Sequence, residues 1–363
     1  MNVAILPDVA VRSRLWLPRR VLITRSALGF AHGRAIAERA AGFGLPVEEL
    51  SSDRLPLALP DDPRRAYAAA KGTLAVTVAP PSKLKLQPIA PSADWRMDLA
   101  EGCPAHCNYC YLAGSLKGPP VTRVYANLDE ILGNLDAYVG QGTVTSRQAA
   151  RAGEGTTFEA SCYTDPLGIE HLTGSLAAAI EHFGRWRGDT QLRFTTKFAG
   201  VEPLLRLPHN GRTRVRFSLN PAAYGRFEGG TSPVEARLAA MRQMAEAGYP
   251  VGLTIAPIIL AEGWREAYGG LLAEIAAALD GAPDPDLTVE LITHRFTEGS
   301  KAVLTSWYPG SSLDMSDRNR TEKRTKFGSV KHVYDRPTMV EARAFFEREI
   351  ASILPKARIL YWT

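Results

Sequence analysis

The chain is short of cysteine, with four in 363 residues, which excludes a disulfide-scaffolded secreted domain. It lacks an apolar run near the ~18 residues that span a bilayer. The longest, around Val251–Ala261, is broken by Gly252 and Pro257. The N-terminus has no secretory apolar core, although Arg12, Arg14, Arg19 and Arg20 against the single acid Asp8 lend it a slight transit-peptide character. Internal repeats and low-complexity segments are missing. An excess of one charge is nearly missing too: 43 Lys and Arg against 38 Asp and Glu leave +5, which permits a polyanionic partner without demanding one. Thiols used this sparingly fit a reducing compartment, so the expectation is a cytoplasmic monomer with no membrane partner.

What is present is a globular composition, 45% hydrophobic and 22% charged, in a chain long enough to bury its own core. Residues 1–60 read as a small N-terminal α/β unit: strand at Arg20–Thr24, helix at Ala31–Ala41, strand at Leu45–Leu50. Residues 61–94 read as a Pro-rich linker, with one apolar alternation at Thr73–Val78 demoted to an edge strand by the prolines around it. From residue 95 the pattern becomes regular. Short apolar runs at Trp95–Leu99, Thr157–Ser161, Leu192–Thr196, Arg214–Leu219, Gly252–Pro257 and Leu287–Ile292 alternate with helical segments at Asn127–Tyr138, Leu172–Phe183, Glu202–Leu207, Pro233–Ala247 and Trp264–Leu279. Six βα units predict a parallel sheet short of a closed eight-unit barrel, hence an open, partial (β/α)6 TIM-like barrel over 95–335. A C-terminal helix and strand occupy 336–363.

Three of the four cysteines, Cys103, Cys107 and Cys110, stand in C-x3-C-x2-C spacing on the loop after the first barrel strand. Three thiolates on one short loop suit three irons of a [4Fe–4S] cluster and leave the fourth iron open. The alternatives are a zinc site completed by His106, which crowds four ligands into one loop, and unligated thiols. The fourth cysteine, Cys162, falls at the C-terminal end of the second barrel strand, on the face where barrels gather their chemistry. Lys197, Ser218 and Asn220 end the third and fourth strands. Singly, each is an ordinary surface or capping residue; together they make a donor-rich rim.

The cysteine spacing, with Tyr109 before the last Cys, resembles the signature of the radical S-adenosylmethionine (SAM) enzymes, which share the partial barrel. Further stretches narrow the likeness: Phe158-Glu-Ala-Ser-Cys162 with Asp165, Gly168-Ile-Glu-His-Leu172, Thr196-Lys-Phe198, Arg216-Phe-Ser-Leu-Asn220, Gly248-Tyr-Pro250 leading to Ala256-Pro-Ile258, Glu262-Gly-Trp264, and Thr293-His-Arg-Phe-Thr297. In this order they resemble the spore photoproduct lyases over most of residues 95–335. The resemblance implies a [4Fe–4S] cluster on Cys103, Cys107 and Cys110. It implies SAM held by Thr164, Lys197, Ser218, Asn220 and backbone near Ala256, and cleaved to a 5′-deoxyadenosyl radical. It further implies a carbon–carbon lyase that reverses 5-thyminyl-5,6-dihydrothymine to two thymines in UV-damaged DNA. Cys162 is then the hydrogen-atom donor to the product radical, and Tyr109 and Tyr111 relay a hydrogen atom back. A one-electron donor of the flavodoxin or ferredoxin type is implied as a partner.

The segment 318–336 carries seven basic residues against Glu322 and Asp335. It reads either as a solvated loop or, by resemblance, as the DNA-contacting segment, with Arg324, Lys326 and Lys331 as phosphate contacts. His294 and Arg295 stand nearby, at the barrel's floor or rim. Departures from the family pattern are Thr164 in place of Ser, Ala105 in place of Gly, and a shortened Lys323–Val333 whose only rings are Phe327 and His332. Two rival functions remain open at this point: a radical SAM paralogue acting on another nucleic-acid or small-molecule substrate, and a non-catalytic, zinc-stabilised nucleic-acid-binding module.

Overall fold

The computed structural model describes residues 15–115, 120–145, 149–324 and 330–363. Six strands, Ala93–Met97, Thr156–Ala160, Thr190–Thr196, Thr213–Leu219, Val251–Ile258 and Thr288–Thr293, pair in parallel, each with the next in sequence. These first to sixth barrel strands match the six runs expected. Gln87–Ile89 adds antiparallel to the first, and Arg358–Trp362 adds parallel to the sixth, giving an eight-stranded sheet with two edges. The result is an open half-barrel. Helices Ser175–Arg185, Val234–Glu246, Trp264–Leu279 and Arg336–Ile353 cover its outer face and bury Phe158, Phe183, Phe217, Met241, Leu272 and Phe346.

Period-two alternation decides what each strand offers to either side. Along the fourth strand Val215, Phe217 and Leu219 join the helix-covered core, while Arg214, Arg216, Ser218 and Asn220 take the other face. Arg216 sits deep there. Its Nη1 donates to both oxygens of Glu290 (2.7 and 2.9 Å) and to Ser92 Oγ (2.5 Å), and its Nη2 pairs with Glu159. Arg193 and Arg151 share Glu154 nearby. With every charge matched, this network fills one end of the barrel with polar groups that would be costly to leave unpaired. Ser218 and Asn220, further along the same face, reach the strand's C-terminal end.

The linker read into residues 61–94 is corrected. It holds the helix Pro63–Lys71, capped by Asp62, which accepts from the Arg65 amide at 2.8 Å, and the strand Thr73–Thr77. That strand lies at the centre of a second sheet, ordered Val47–Glu49, Arg20–Ile23, Thr73–Thr77, Thr122–Tyr125, Ala100–Glu101, not at its edge. Pro63 and Pro81 start helices, Pro91 lies in a turn and Pro88 in the edge strand Gln87–Ile89; none falls inside Thr73–Thr77, which loses no ladder donor. The small α/β unit therefore extends well beyond residue 60. Two helical expectations also change. Residues 202–207 form successive turns, with Pro203 and Pro208 removing donors, and Asn127–Tyr138 splits at Asn134 into Leu128–Gly133 and the 3-10 turn Leu135–Tyr138.

Candidate active site

The cysteine loop leaves the first barrel strand through Ala100–Glu101, which pairs antiparallel with Thr122–Tyr125. Gly102 makes the turn with φ +72°, and a Cβ there would stand 2.2 Å from the Val121 carbonyl oxygen, so only glycine fits. Three anchors then hold the loop. The buried Lys71 ammonium donates to the carbonyls of Cys103 and Ala105. His106–Cys107 pairs antiparallel with Glu228–Gly229. The Asn108 amide donates to the Phe227 carbonyl at 2.9 Å.

Burial pushes the thiols up, Cys103 to about 11 with Lys71 pulling the other way, and Cys107 and Cys110 likewise upward. Unliganded, they are neutral; a bound metal must displace their protons. Among the described residues, the donors of Cys103, Cys107, Cys110 and His106 do not gather within 4.8 Å of one another, whereas tetrahedral zinc would draw its ligands to about 4 Å apart. His106 Nδ1 is hydrogen-bonded to the Tyr67 hydroxyl at 3.2 Å. Three thiols spaced along one loop suit three irons of a [4Fe–4S] cluster better than a compact zinc tetrahedron.

Residues from four later strand ends converge opposite this loop. The Ala256 carbonyl, on the fifth strand, accepts from Lys197 Nζ (3.3 Å), Ser218 Oγ (3.3 Å) and Asn220 Nδ2 (3.2 Å). Thr164 Oγ1 is buried with no hydrogen-bond partner. An orphaned hydroxyl beside a rim of donors fits a polar ligand such as SAM, with its carboxylate, amine and ribose. Asp165 braces the rim, accepting from the Lys197 amide (2.7 Å) and Thr196 Oγ1 (2.9 Å); burial, against those hydrogen bonds, pushes its carboxyl up to about 6.

Sequence reasoning missed Glu228. Its carboxylate accepts from Lys197 Nζ (2.8 Å), Asn220 Nδ2 (3.1 Å), Arg237 Nη2 (2.5 Å) and the Tyr109 hydroxyl, while its backbone pairs with Cys107. Burial would raise its pKa, but Lys197 and Arg237 outweigh that and hold it down to about 2. Nothing local in the sequence marks it, since all its partners but Arg237 and Asn220 lie more than thirty residues away.

Cys162 is set by the residue before it. Ser161 adopts φ +56°, and its Oγ accepts from the amides of Leu99 (2.8 Å) and Ala100 (3.2 Å), which redirects the chain as it leaves the second strand. Burial and the Asp98 carboxylate push the Cys162 thiol up to about 12, against the pull of Arg96. At neutral pH it keeps its S–H. From the cysteine loop, Tyr111, an exposed residue, reaches over to donate its hydroxyl to the Cys162 carbonyl. Tyr109 lies further in, on Glu228.

In the basic segment Arg320–Arg324 pairs antiparallel with Val330–Tyr334; Lys326 and Phe327 lie outside the described residues. Lys323 stands directly opposite Lys331, and burial together with Arg295 and Lys323 lowers the Lys331 pKa. Arg324 is exposed. The strand pair is pinned from below: His332 stacks on Phe296 (4.9 Å), Arg320 lies under Tyr334 (3.7 Å), and Arg320 Nη1 donates to the His294 carbonyl (2.7 Å). His294 is thus a buried support, and exposed Arg295 adds its charge to the lysine face.

A parallel half-barrel with three thiols on its first loop, facing a donor rim built from later strand ends, defines an enzyme of the radical SAM class. Comparison with known proteins narrows this. The family profile described as "Spore photoproduct lyase" matches residues 16–363. The spore photoproduct lyase of Bacillus subtilis (strain 168) is 38% identical over 352 residues, covering 96% of this chain and 99% of that one. That of Geobacillus sp. (strain Y412MC61) is 39% identical over 350 residues, with the same coverage. A solved spore photoproduct lyase complexed with dinucleoside spore photoproduct superimposes with a TM-score of 0.88 at 38% identity, covering 96% of this chain and all of the other. A mutant solved with bound AdoMet (SAM) and the same dinucleoside gives 0.87 at the same identity and coverage. This chain belongs to the spore photoproduct lyase family.

Proposed function

We infer that the protein is a radical SAM carbon–carbon lyase that restores two thymines from 5-thyminyl-5,6-dihydrothymine in UV-damaged DNA. The observation that carries this is the meeting of Tyr111, from the cysteine loop, with Cys162, at the end of the second strand. Cys103, Cys107 and Cys110 would hold the cluster, and Thr164, Lys197, Ser218, Asn220 and the Ala256 carbonyl would hold SAM. When bound, the two supply the one-electron chemistry that removes hydrogen from C6 of the lesion.

The chain's own part follows. Once the bridging C–C bond breaks, the unpaired electron rests on the released thymine. The Cys162 S–H bond breaks, a C–H bond forms on thymine, and the sulfur is left as a thiyl. Tyr111, on the adjacent backbone, gives its hydroxyl hydrogen to that sulfur: O–H breaks and S–H forms. Tyr109 restores Tyr111 in the same way, and the hydrogen first taken from C6 would return to Tyr109 from the bound cofactor, which closes the count. A neutral thiol is required, since a thiolate has no hydrogen atom to give, and burial beside Asp98 supplies it. Extrusion of the lesion from the duplex stack precedes all of this.

DNA contact is assigned to Arg324, Lys326 and Lys331. Electrons come from an external flavodoxin- or ferredoxin-type protein. The enzyme acts in the cytoplasm as a monomer; among the described residues, no helix is long and apolar enough to cross a membrane. The test is anaerobic turnover with SAM, dithionite and a defined spore-photoproduct dinucleotide. Conversion to thymine supports the reading; an untouched dinucleotide beside intact SAM cleavage favours a paralogue with another substrate.

A further inference from the structure

We propose that Glu228 is the positioning residue of the hydrogen relay: it holds the Tyr109 hydroxyl in place and ties that phenol to the cysteine loop and to the SAM rim. The proposal rests on the assignment of Tyr109 to the relay. Four donors converge on one carboxylate. Lys197 Nζ (2.8 Å) and Asn220 Nδ2 (3.1 Å) share Oε1 with the Tyr109 hydroxyl, and Arg237 Nη2 takes Oε2 at 2.5 Å. Arg237 is itself fixed, with Nη1 on the Ser218 carbonyl (2.8 Å) and Nε on the Ser232 carbonyl (2.7 Å). The Glu228 backbone pairs with Cys107, two residues before Tyr109. Held at so many points, the carboxylate cannot swing with the phenol. Tyr109 is therefore the ring that must come to it.

The consequence is geometric. Glu228 accepts the Tyr109 hydroxyl hydrogen, so it sets the place of the phenol oxygen; that hydrogen must leave the carboxylate before it passes to Tyr111, and an unrestrained ring would lose the oxygen's setting. Lys197 stands 5.5 Å from the Tyr109 ring centroid, so one side chain touches both the phenol's face and the carboxylate that holds its hydroxyl. Asn220 links the same carboxylate to the fourth strand and, through Oδ1, accepts from the Tyr268 hydroxyl at 3.0 Å. Any shift of the rim is thus passed to Tyr109 through Glu228. A charged, ion-paired acceptor at this place is a stronger tether than a neutral one.

The test uses the full chain with Glu228→Gln, which removes the charge, and Glu228→Asp, which keeps both ion pairs but withdraws the carboxylate by one methylene. In the cluster-free protein, near-UV difference spectra against wild type should show loss of one strongly hydrogen-bonded tyrosine in both variants, and no such signal when Tyr109→Phe is already present. In the cluster-loaded protein, iron and sulfide content should match wild type. SAM consumed per lesion repaired should rise as it does in Tyr109→Phe, with no further rise in Glu228→Gln/Tyr109→Phe. An unchanged tyrosine spectrum, wild-type SAM consumption in a variant with full iron, or an additive double variant overturns the proposal. Should Glu228→Gln fail to fold, Glu228→Asp decides. If wild type leaves the lesion untouched, the repair reading has failed, and the near-UV arm still decides whether Glu228 holds Tyr109.

Discussion

The Tyr111 hydroxyl donates to the carbonyl of Cys162, fifty-one residues on in the chain, and so joins the loop that carries the three thiols to the end of the second barrel strand. This one contact places Tyr111 beside Cys162, as the proposed relay requires. Cys162 itself follows the strand, whereas the three thiols proposed to hold the cluster lie on the loop.

Replacing Cys103, Cys107 and Cys110 together by Ala should abolish iron, sulfide and SAM cleavage. Cys162→Ala should keep the full cluster and still cleave SAM. Iron analysis and the broad band near ~400 nm after anaerobic reconstitution read both outcomes. Iron loss in Cys162→Ala would place that residue on the cluster and remove it from the donor role.

Cys162 should govern the fate of the thymine radical, not its formation. With dithionite as reductant, Cys162→Ala should divert product to a thymine sulfinate adduct, seen by mass spectrometry, while wild type gives thymine pairs. Tyr109→Phe and Tyr111→Phe should still repair but consume more SAM per lesion. Normal thymine at the wild-type rate from Cys162→Ala would return it to a packing role.

DNA binding should be mainly electrostatic and draw on the face of this strand pair. Arg324→Ala with Lys331→Ala removes two phosphate contacts, which should flatten the log–log salt slope on duplex DNA by about two units. SAM cleavage without DNA should be unchanged. A constant slope would make the strand pair a solvated ornament of the barrel.

Asp165 should leave a mark on stability against pH. Its folded pKa of about 6 exceeds the ordinary 3.8, so the native state binds the extra proton between those values. Stability contributed by the protonated form is complete below pH ~4 and is lost as pH rises through about 6, a change of about 3 kcal/mol. Asp165→Asn should flatten urea-derived stability across that window. If the slope persists, another buried acid carries it.

Gly102→Ala should lower cluster loading. The added Cβ meets the Val121 carbonyl at 2.2 Å, and the positive φ is itself unfavourable for alanine, together costing about 1–3 kcal/mol. A variant with wild-type iron content and melting temperature would mean that the loop has another way to turn.

What the sequence determined by itself were features written locally. The C-x3-C-x2-C spacing places three thiols on one loop whatever surrounds it. The alternation Arg216, Ser218, Asn220 settles which side chains share the inner face of a strand. Six apolar runs separated by long connections favour a parallel sheet, because parallel neighbours need a crossover. Even Cys162 and Lys197 were legible as strand ends, from the length of the apolar runs.

The tertiary structure decided the rest, wherever partners are distant in the chain. Thr73–Thr77 is the centre of a sheet because Thr122–Tyr125 pairs with it, a partner some fifty residues away that no local count of prolines can supply. Lys331 faces Lys323 only once the register of the strand pair is set. Glu228 is one unmarked acid among 38 acidic residues until folding brings Lys197, Asn220, Arg237 and Tyr109 to its two oxygens. Spacing along the chain encodes what one element presents; it does not encode which elements meet, because that is settled by burial and by pairing polar groups across the whole core.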